Sequence, residues 1–193
     1  MLEVAVREEP SGQSVSDLLP ASLPEALYTA RKVGDSAGLR PLVVEEFGAS
    51  GRPVLVVAGL DGSEHSAFVA ERLRVVLLAR NRADLPPRRV TLVLAANPDG
   101  MVAGRRPNNI GDIPEEAFPA DGGPLASDAP PEAAVLADVV SAEPPAAVIE
   151  IRQGEPGVGG ADAAPLVAAI QGRVRMPRLS TLATRAGSLT AWA

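Results

Sequence analysis

Residues 53–64 read PVLVVAGLDGSE and residues 90–100 read VTLVLAANPDG. Each begins with an apolar, largely β-branched run, Val54-Leu55-Val56-Val57 and Val90-Thr91-Leu92-Val93-Leu94-Ala95, and each ends in turn-forming residues. Successive strand residues point to opposite faces, so a run that is apolar throughout predicts a strand covered on both sides. A third run, Ala147-Val148-Ile149-Glu150-Ile151, leads into Arg152-Gln153-Gly154. Between the runs the spacing predicts helices. One covers residues 64–80, with Phe68, Val69, Leu73, Val76 and Leu77 as an apolar stripe, and another covers residues 131–142. Strand, helix, strand, helix, strand predicts an α/β fold, a three-layer sandwich around a mixed, mostly parallel central sheet. Ligands bind at the carboxyl ends of such strands. That singles out the loops around Asp61, after Asn97 and after Ile151.

The flanking segments extend this reading. Ser22 and Glu25 have capping-box spacing and predict a helix running through Arg31, with Gly34 as its stop. Residues 41–47 and 53–58 read as two strands joined as neighbours by the short turn at 48–51. Residues 101–131, rich in Gly, Pro, Asn and Asp, read as a long loop of the kind that often carries function. A short helix is expected at 165–171 and a last strand at 188–192. The expected organisation is one domain over residues 1–193, with a helical lead-in at 1–37, a core at 38–160 and a divergent part at 161–193.

Composition narrows the functional classes. The 193 residues include no cysteine, which excludes disulfides, thiolate metal sites and a cysteine nucleophile. There is one histidine, so no site can use two imidazoles. A net charge of −6 argues against nucleic-acid binding through a basic surface. No apolar run is long enough to span a membrane, and no signal peptide is visible at the N-terminus, so a cytoplasmic location is expected. The glycine-rich stretch at 157–160 lacks the Lys and Ser/Thr of a phosphate-binding loop and reads as a plain loop.

The three loops, taken in order, resemble those of the zinc carboxypeptidase family, which comprises the metallocarboxypeptidases and the related succinylglutamate-desuccinylase-like amidohydrolases. Residues 39–44 resemble the family's GRP-hydrophobic strand, and PVLVVAGLDGSE its strand–GxHGxE segment. VTLVLAANPDG resembles its strand–NPDG segment. GRRPNNIGDIPEEAFP at 104–119 lies without a gap on its RxNxxGVDLNRNFP stretch, and residues 132–154 resemble its helix–strand–HS segment.

The resemblance implies a zinc ion held by two His and one Glu, which polarises a carbonyl and activates water. The matching positions here are Asp61, Glu64 and Arg152. A carboxylate at 61 still suits zinc, whereas the guanidinium of Arg152 has no lone pair to give. The Asn-Arg pair that grips a terminal carboxylate falls on Glu115 and Glu116, which inverts the charge. Arg106 matches an arginine that steadies the carbonyl oxygen, and Asn108 lies beside it in the same stretch. The general base of the family sits on a late strand, but no Asp or Glu follows Asp162.

The sequence therefore reads as a catalytically degenerate zinc-carboxypeptidase-like domain with a ligand-binding or structural role and no cofactor. Arg106, Asn108, Glu115 and Glu116 are its binding candidates. A small molecule or peptide is the expected partner, with no nucleic acid and no membrane. Arg152 is expected to replace the metal as a cation flanked by Asp61 and Glu64. The alternative is an active metal-dependent carboxypeptidase or amidohydrolase, with zinc on Asp61, Glu64 and possibly His65. A helix starting near residue 61 would bring Asp61 and His65 to one face.

Overall fold

The computed structural model describes residues 27–48, 50–79, 89–154, 164–173 and 189–192. Five strands form one mixed sheet: β1 (Tyr28–Asp35), β2 (Pro41–Phe47), β3 (Val54–Ala58), β4 (Val90–Val93) and β5 (Ala147–Ile151). Their spatial order is β1-β2-β4-β3-β5. β3 runs parallel to β4 and β5, while β2 is antiparallel to β1 and β4. The helices are α1 (Glu64–Leu78), α2 (Pro98–Ala103), α3 (Pro131–Ala142), α4 (Ala164–Gln171) and α5 (Leu189–Trp192).

Strand alternation builds two cores. Leu55, Val57 and Val93 pack with Leu136 and Val140 of α3 and with Leu189 of α5. Val56, Ala58 and Leu92 pack on the other face with Ala70 and Leu77 of α1. The sheet is thus sandwiched between helix layers, which is why its three parallel strands carry apolar side chains on both faces.

Four local expectations change. Residues 28–35 form a strand where the capping-box spacing predicts helix; residues 22–26 lie outside the described set. Seven residues of β1 are in register with β2, and the Tyr28 ring packs 5.1 Å from Phe47. Non-local pairing and burial override the local helix signal here. β2 and β3 are not neighbours, because β4 inserts between them and pairs Phe47 with Val90. Residues 189–192 are helical rather than a strand, with Leu189 buried and Trp192 packed 5.5 Å from Phe118.

The fourth change concerns α1. Phe68, Val69 and Val76 face solvent, and the buried face is Ser66, Ala70 and Leu77. The rotation of the helix is fixed by polar contacts. Gly59 N donates to Ser66 Oγ at 2.9 Å, and Arg74 Nε donates to the Glu45 carboxylate at 2.7 Å. Small Ser66 and Ala70 allow close approach to the sheet, so the larger side chains turn outward. Among the described residues no helix is long and apolar enough to cross a membrane. The loop at 157–160 lies outside the described residues.

Two buried carboxylates tie the loops at the site end to the sheet. Asp99, in the first turn of α2, accepts from Ser36 Oγ (2.9 Å), Gly38 N (2.6 Å) and Arg40 NH1 (2.6 Å). Glu132 of α3 accepts from Ala37 N (3.1 Å) and Asn108 Nδ2 (2.9 Å). Burial works against the ionised form of Asp99, but the hydrogen bonds from Arg40, Ser36 and Gly38 outweigh it and hold the carboxyl below its ordinary value. Its stabilisation is present above the ordinary carboxylate range and is lost as the pH falls and the folded carboxyl is protonated. Asp99→Ala is expected to cost about 3 kcal/mol in urea unfolding, because Ser36, Gly38 and Arg40 among its donors lose their acceptor. Arg40→Ala is expected to cost about 1 kcal/mol, since that guanidinium is partly solvated.

Candidate functional site

β3, β4 and β5 end side by side, and the loops leaving them converge. After β3, Gly59 to Gly62 turn the chain into α1. Gly62 has φ +70°, and a Cβ there would overlap the Arg105 carbonyl oxygen. Only glycine lets this turn press against the loop that carries Arg106. Asn97 caps α2 by accepting from Gly100 N at 2.9 Å, and its Nδ2 donates to the Arg106 carbonyl at 2.7 Å. The Asn-Pro-Asp-Gly turn after β4 therefore shapes the Arg106 loop directly.

Asp61 sits in the turn that precedes α1, because Ser63 is the N-cap of the helix. Its Oδ1 accepts from Ser63 N (3.1 Å) and Ser66 Oγ (3.2 Å), and its Oδ2 accepts from Gln153 N (2.7 Å). Ser63 Oγ also meets Gln153 Oε1 at 3.0 Å. Asp61 thus clamps the loop after β3 to the loop after β5. Glu64 and His65 are exposed in the first turn of α1. The helix does not extend back to residue 61, so the one-face arrangement of Asp61 and His65 does not form.

The Arg152 side chain is 15% exposed and lies between two other carboxylates. Its NH1 is 3.8 Å from Glu115 Oε2 and 3.7 Å from Glu150 Oε1. The expected flanking by Asp61 and Glu64 is therefore replaced by Glu115 and Glu150, because Asp61 is engaged by Ser63 N, Ser66 Oγ and Gln153 N and Glu64 turns to solvent. Glu115, 5% exposed, stands in a 3-10 turn at Pro114–Glu116 and also accepts from Arg106 Nε at 2.6 Å. Arg106 NH2 bridges Glu115 and Glu116, at 2.7 Å from the latter. Desolvation opposes the charged form of Arg106, but the bonds to Glu115 and Glu116 outweigh it and hold the guanidinium above its ordinary value. Asn108 is fully buried. Its Oδ1 accepts from Ile110 N and Asp112 N, and its Nδ2 goes to Glu132. These bonds make it a builder of the loop that carries Arg106.

Glu150 was not singled out by motif matching. Its signal in the sequence is a lone carboxylate in an otherwise apolar strand. The side chain is 4% exposed, and Oε1 has no hydrogen-bond partner. Burial pushes its carboxyl up to about 7, Arg152 works against the rise, and Glu115 and Asp61 add to it.

The donor set does not fit a zinc ion held as the resemblance would place it. Among the described residues no three His, Asp or Glu side chains stand close enough to hold a metal. Both oxygens of Asp61 are engaged, Glu64 is turned outward, and the third position is a cation paired to two carboxylates.

No protein-family model and no curated protein matches the chain. Solved structures do. The chain is similar to the murein-tripeptide amidase MpaA from Escherichia coli O157, with 24% identity and a TM-score of 0.66 over 84% of this chain and 76% of that one. It is similar to carboxypeptidase A from Helicoverpa armigera, with 13% identity and a TM-score of 0.71 over 87% and 56%. It is also similar to a metallo-carboxypeptidase from Burkholderia cenocepacia, with 20% identity and a TM-score of 0.59 over 76% and 43%. The chain thus has the metallocarboxypeptidase fold, and it spans about half the length of the two carboxypeptidases.

The titration of Glu150 makes a measurable difference. Between the ordinary value of 4.5 and about 7 the folded protein holds a proton that the unfolded chain has released. Stability therefore falls as pH rises through that window, by up to about 3 kcal/mol for this group. Glu150→Gln is expected to remove this slope. In urea unfolding the variant should match the parent near pH 4.5 and exceed it at pH 8.

Proposed function

We propose that this chain is a catalytically degenerate domain of the metallocarboxypeptidase fold, whose strand-end cleft binds a small molecule or peptide without hydrolysing it. The observation that carries the reading is Arg152 held between the buried carboxylates of Glu115 and Glu150. A guanidinium lacks a lone pair for a metal. At about 4 Å it opposes a dication by on the order of 8 kcal/mol at an effective dielectric constant near 20. That is a large part of the roughly 10–16 kcal/mol a well-formed zinc site yields.

Two further features support the same reading. Arg106 is bound by Glu115 and Glu116 and so is not free to polarise a carbonyl. The positions that would grip a terminal carboxylate are themselves carboxylates, so a substrate's negative end meets repulsion.

The test is metal content and turnover. The parent protein, dialysed against zinc and then against buffer, is expected to hold far less than one zinc per chain and to leave peptide and small-amide substrates intact. Asp61→His combined with Arg152→His is expected to gain zinc, read by elemental analysis. Stoichiometric zinc in the parent, lost in Glu64→Ala and accompanied by hydrolysis, would overturn the proposal.

A further inference from the structure

α1 turns an apolar ridge away from the sheet. Phe68 is 62% exposed, Val69 47% and Val76 49%, all on one helix. Among the described residues the other large exposed apolar side chains, Leu39, Val43, Val102 and Ile110, stand on separate turns and elements. Apolar residues exposed singly are ordinary, whereas three on one helix form a patch. Packing within the chain does not call for them, because the sheet is met by Ser66, Ala70 and Leu77.

Charges flank this ridge in a definite order. Glu64, Phe68, Arg72 and Val76 follow one another at four-residue spacing and so form one row along the helix. Glu64 lies about 6 Å along the axis to one side of Phe68, and Arg72 about 6 Å to the other. The Arg72 guanidinium leans over the Phe68 ring, 5.3 Å from its centre, which keeps the cation beside the apolar residue. On the flank toward β2 the charges of α1 are used within the chain, since Arg74 pairs with Glu45 and with Glu71. Glu64 and Arg72 are exposed, and among the described residues neither has an ionic partner.

A negative charge one turn before an apolar centre and a positive charge one turn after it are complementary to their own reverse. Two such helices laid parallel would set Glu64 against Glu64 and Arg72 against Arg72. Laid antiparallel about a twofold axis at Phe68, each Glu64 meets the Arg72 of the other copy, and the two Phe68 rings meet between the ion pairs. A twofold dimer buries the same patch on both chains, which is the arrangement a self-complementary patch fits.

We infer that the outer face of α1 docks a second copy of this chain, with the two helices crossing antiparallel at Phe68 and Glu64 of each copy facing Arg72 of the other. Val69 and Val76, on one flank of the row, extend the apolar cover. One pair of helices buries less than the roughly 800 Å² per partner of a standard interface, so the dimer is weak and depends on concentration. The inference is independent of what the strand-end cleft binds.

Sedimentation equilibrium of the whole chain over a concentration series, with a chelator present, reads the association. The parent is expected to pass from monomer to dimer and no further, because a twofold interface closes. Phe68→Ser, Glu64→Arg and Arg72→Glu are each expected to raise the dimer Kd about tenfold, the first by removing the apolar centre and the others by setting like charges together at both ends of the interface. Glu64→Arg combined with Arg72→Glu reverses both pairs and is expected to bring Kd back to within about threefold of the parent. All three positions are exposed, so the melting temperature of each variant in dilute solution is expected to match the parent. A parent that stays monomeric up to about 1 mM overturns the inference, whether another segment of this chain or a different protein covers the ridge. So does a dimer whose Kd ignores Phe68→Ser, and so does a double variant that stays as weak as the single charge variants.

Discussion

A cation buried at the ends of three parallel strands has to be neutralised where it stands, and much of the site follows from how this chain neutralises Arg152. Water is largely excluded there, and removing an ion from water costs several kcal/mol unless it is paired. The chain supplies Glu150 from the same strand and Glu115 from a loop far along the sequence. Glu115 in turn pairs with Arg106, and Arg106 with Glu116. The outcome is an alternating row of charges, Glu150, Arg152, Glu115, Arg106 and Glu116, running from the buried strand end to the solvent. Each member is held by a neighbour of opposite sign, and the two outer members, Arg106 and Glu116, keep close to half of their side-chain surface in water.

That row needs a rigid frame, because ion pairs repay desolvation only with good geometry. The frame is a second set of polar contacts, most of them buried or partly buried. Asp99 fastens the β1–β2 turn to α2, and Asn97 fastens α2 to the Arg106 carbonyl. Glu132 fastens Asn108 and the β1–β2 turn to α3. Asp61 joins the loops after β3 and β5. Polar residues that turn statistics would assign to exposed loops are here fully used inside the molecule, each satisfying backbone donors that a buried loop would otherwise leave unpaired.

The sequence made the fold's centre legible for a physical reason. β3, β4 and β5 are buried on both faces, and double burial writes a continuous apolar run that nothing else in this chain imitates. β1 and α5 were misread because their conformations are decided elsewhere. β1 is a strand through its pairing with β2, and α5 is a helix whose Leu189 and Trp192 find cover against β5 and Phe118. The outward stripe of α1 has the same origin. Periodicity locates a helix, but its rotation was set by Ser66 and Arg74, whose partners lie in the sheet. At the site, the positions Asp61, Arg106, Glu115, Glu116 and Arg152 could be read from motif order, but their partners could not. Pairing Arg152 with Glu115 requires knowing that the 114–116 turn comes back beside the residue that follows β5. Glu150 was visible only as a polar break in an apolar strand.

The row of charges also governs how substitutions in the site should be read. Members of a coupled network do not contribute separately, since removing one strands its neighbours. Replacing Glu115 alone would leave Arg152 facing a single, half-titrated Glu150 and would free Arg106 from its closest partner, so the measured cost would combine two broken pairs. Replacing Arg152 alone would leave Glu115 and Glu150 as buried like charges, and the folded protein would answer by holding more protons. Substituting Glu115, Glu150 and Arg152 together by apolar residues of similar volume removes the charges and their desolvation cost at once, and such exchanges are often neutral or stabilising. A stable triple variant beside three unstable single variants would therefore mean that the row is not what holds the fold together. It would mean that the row fixes the charge of the cleft, a property that bears on ligands rather than on folding.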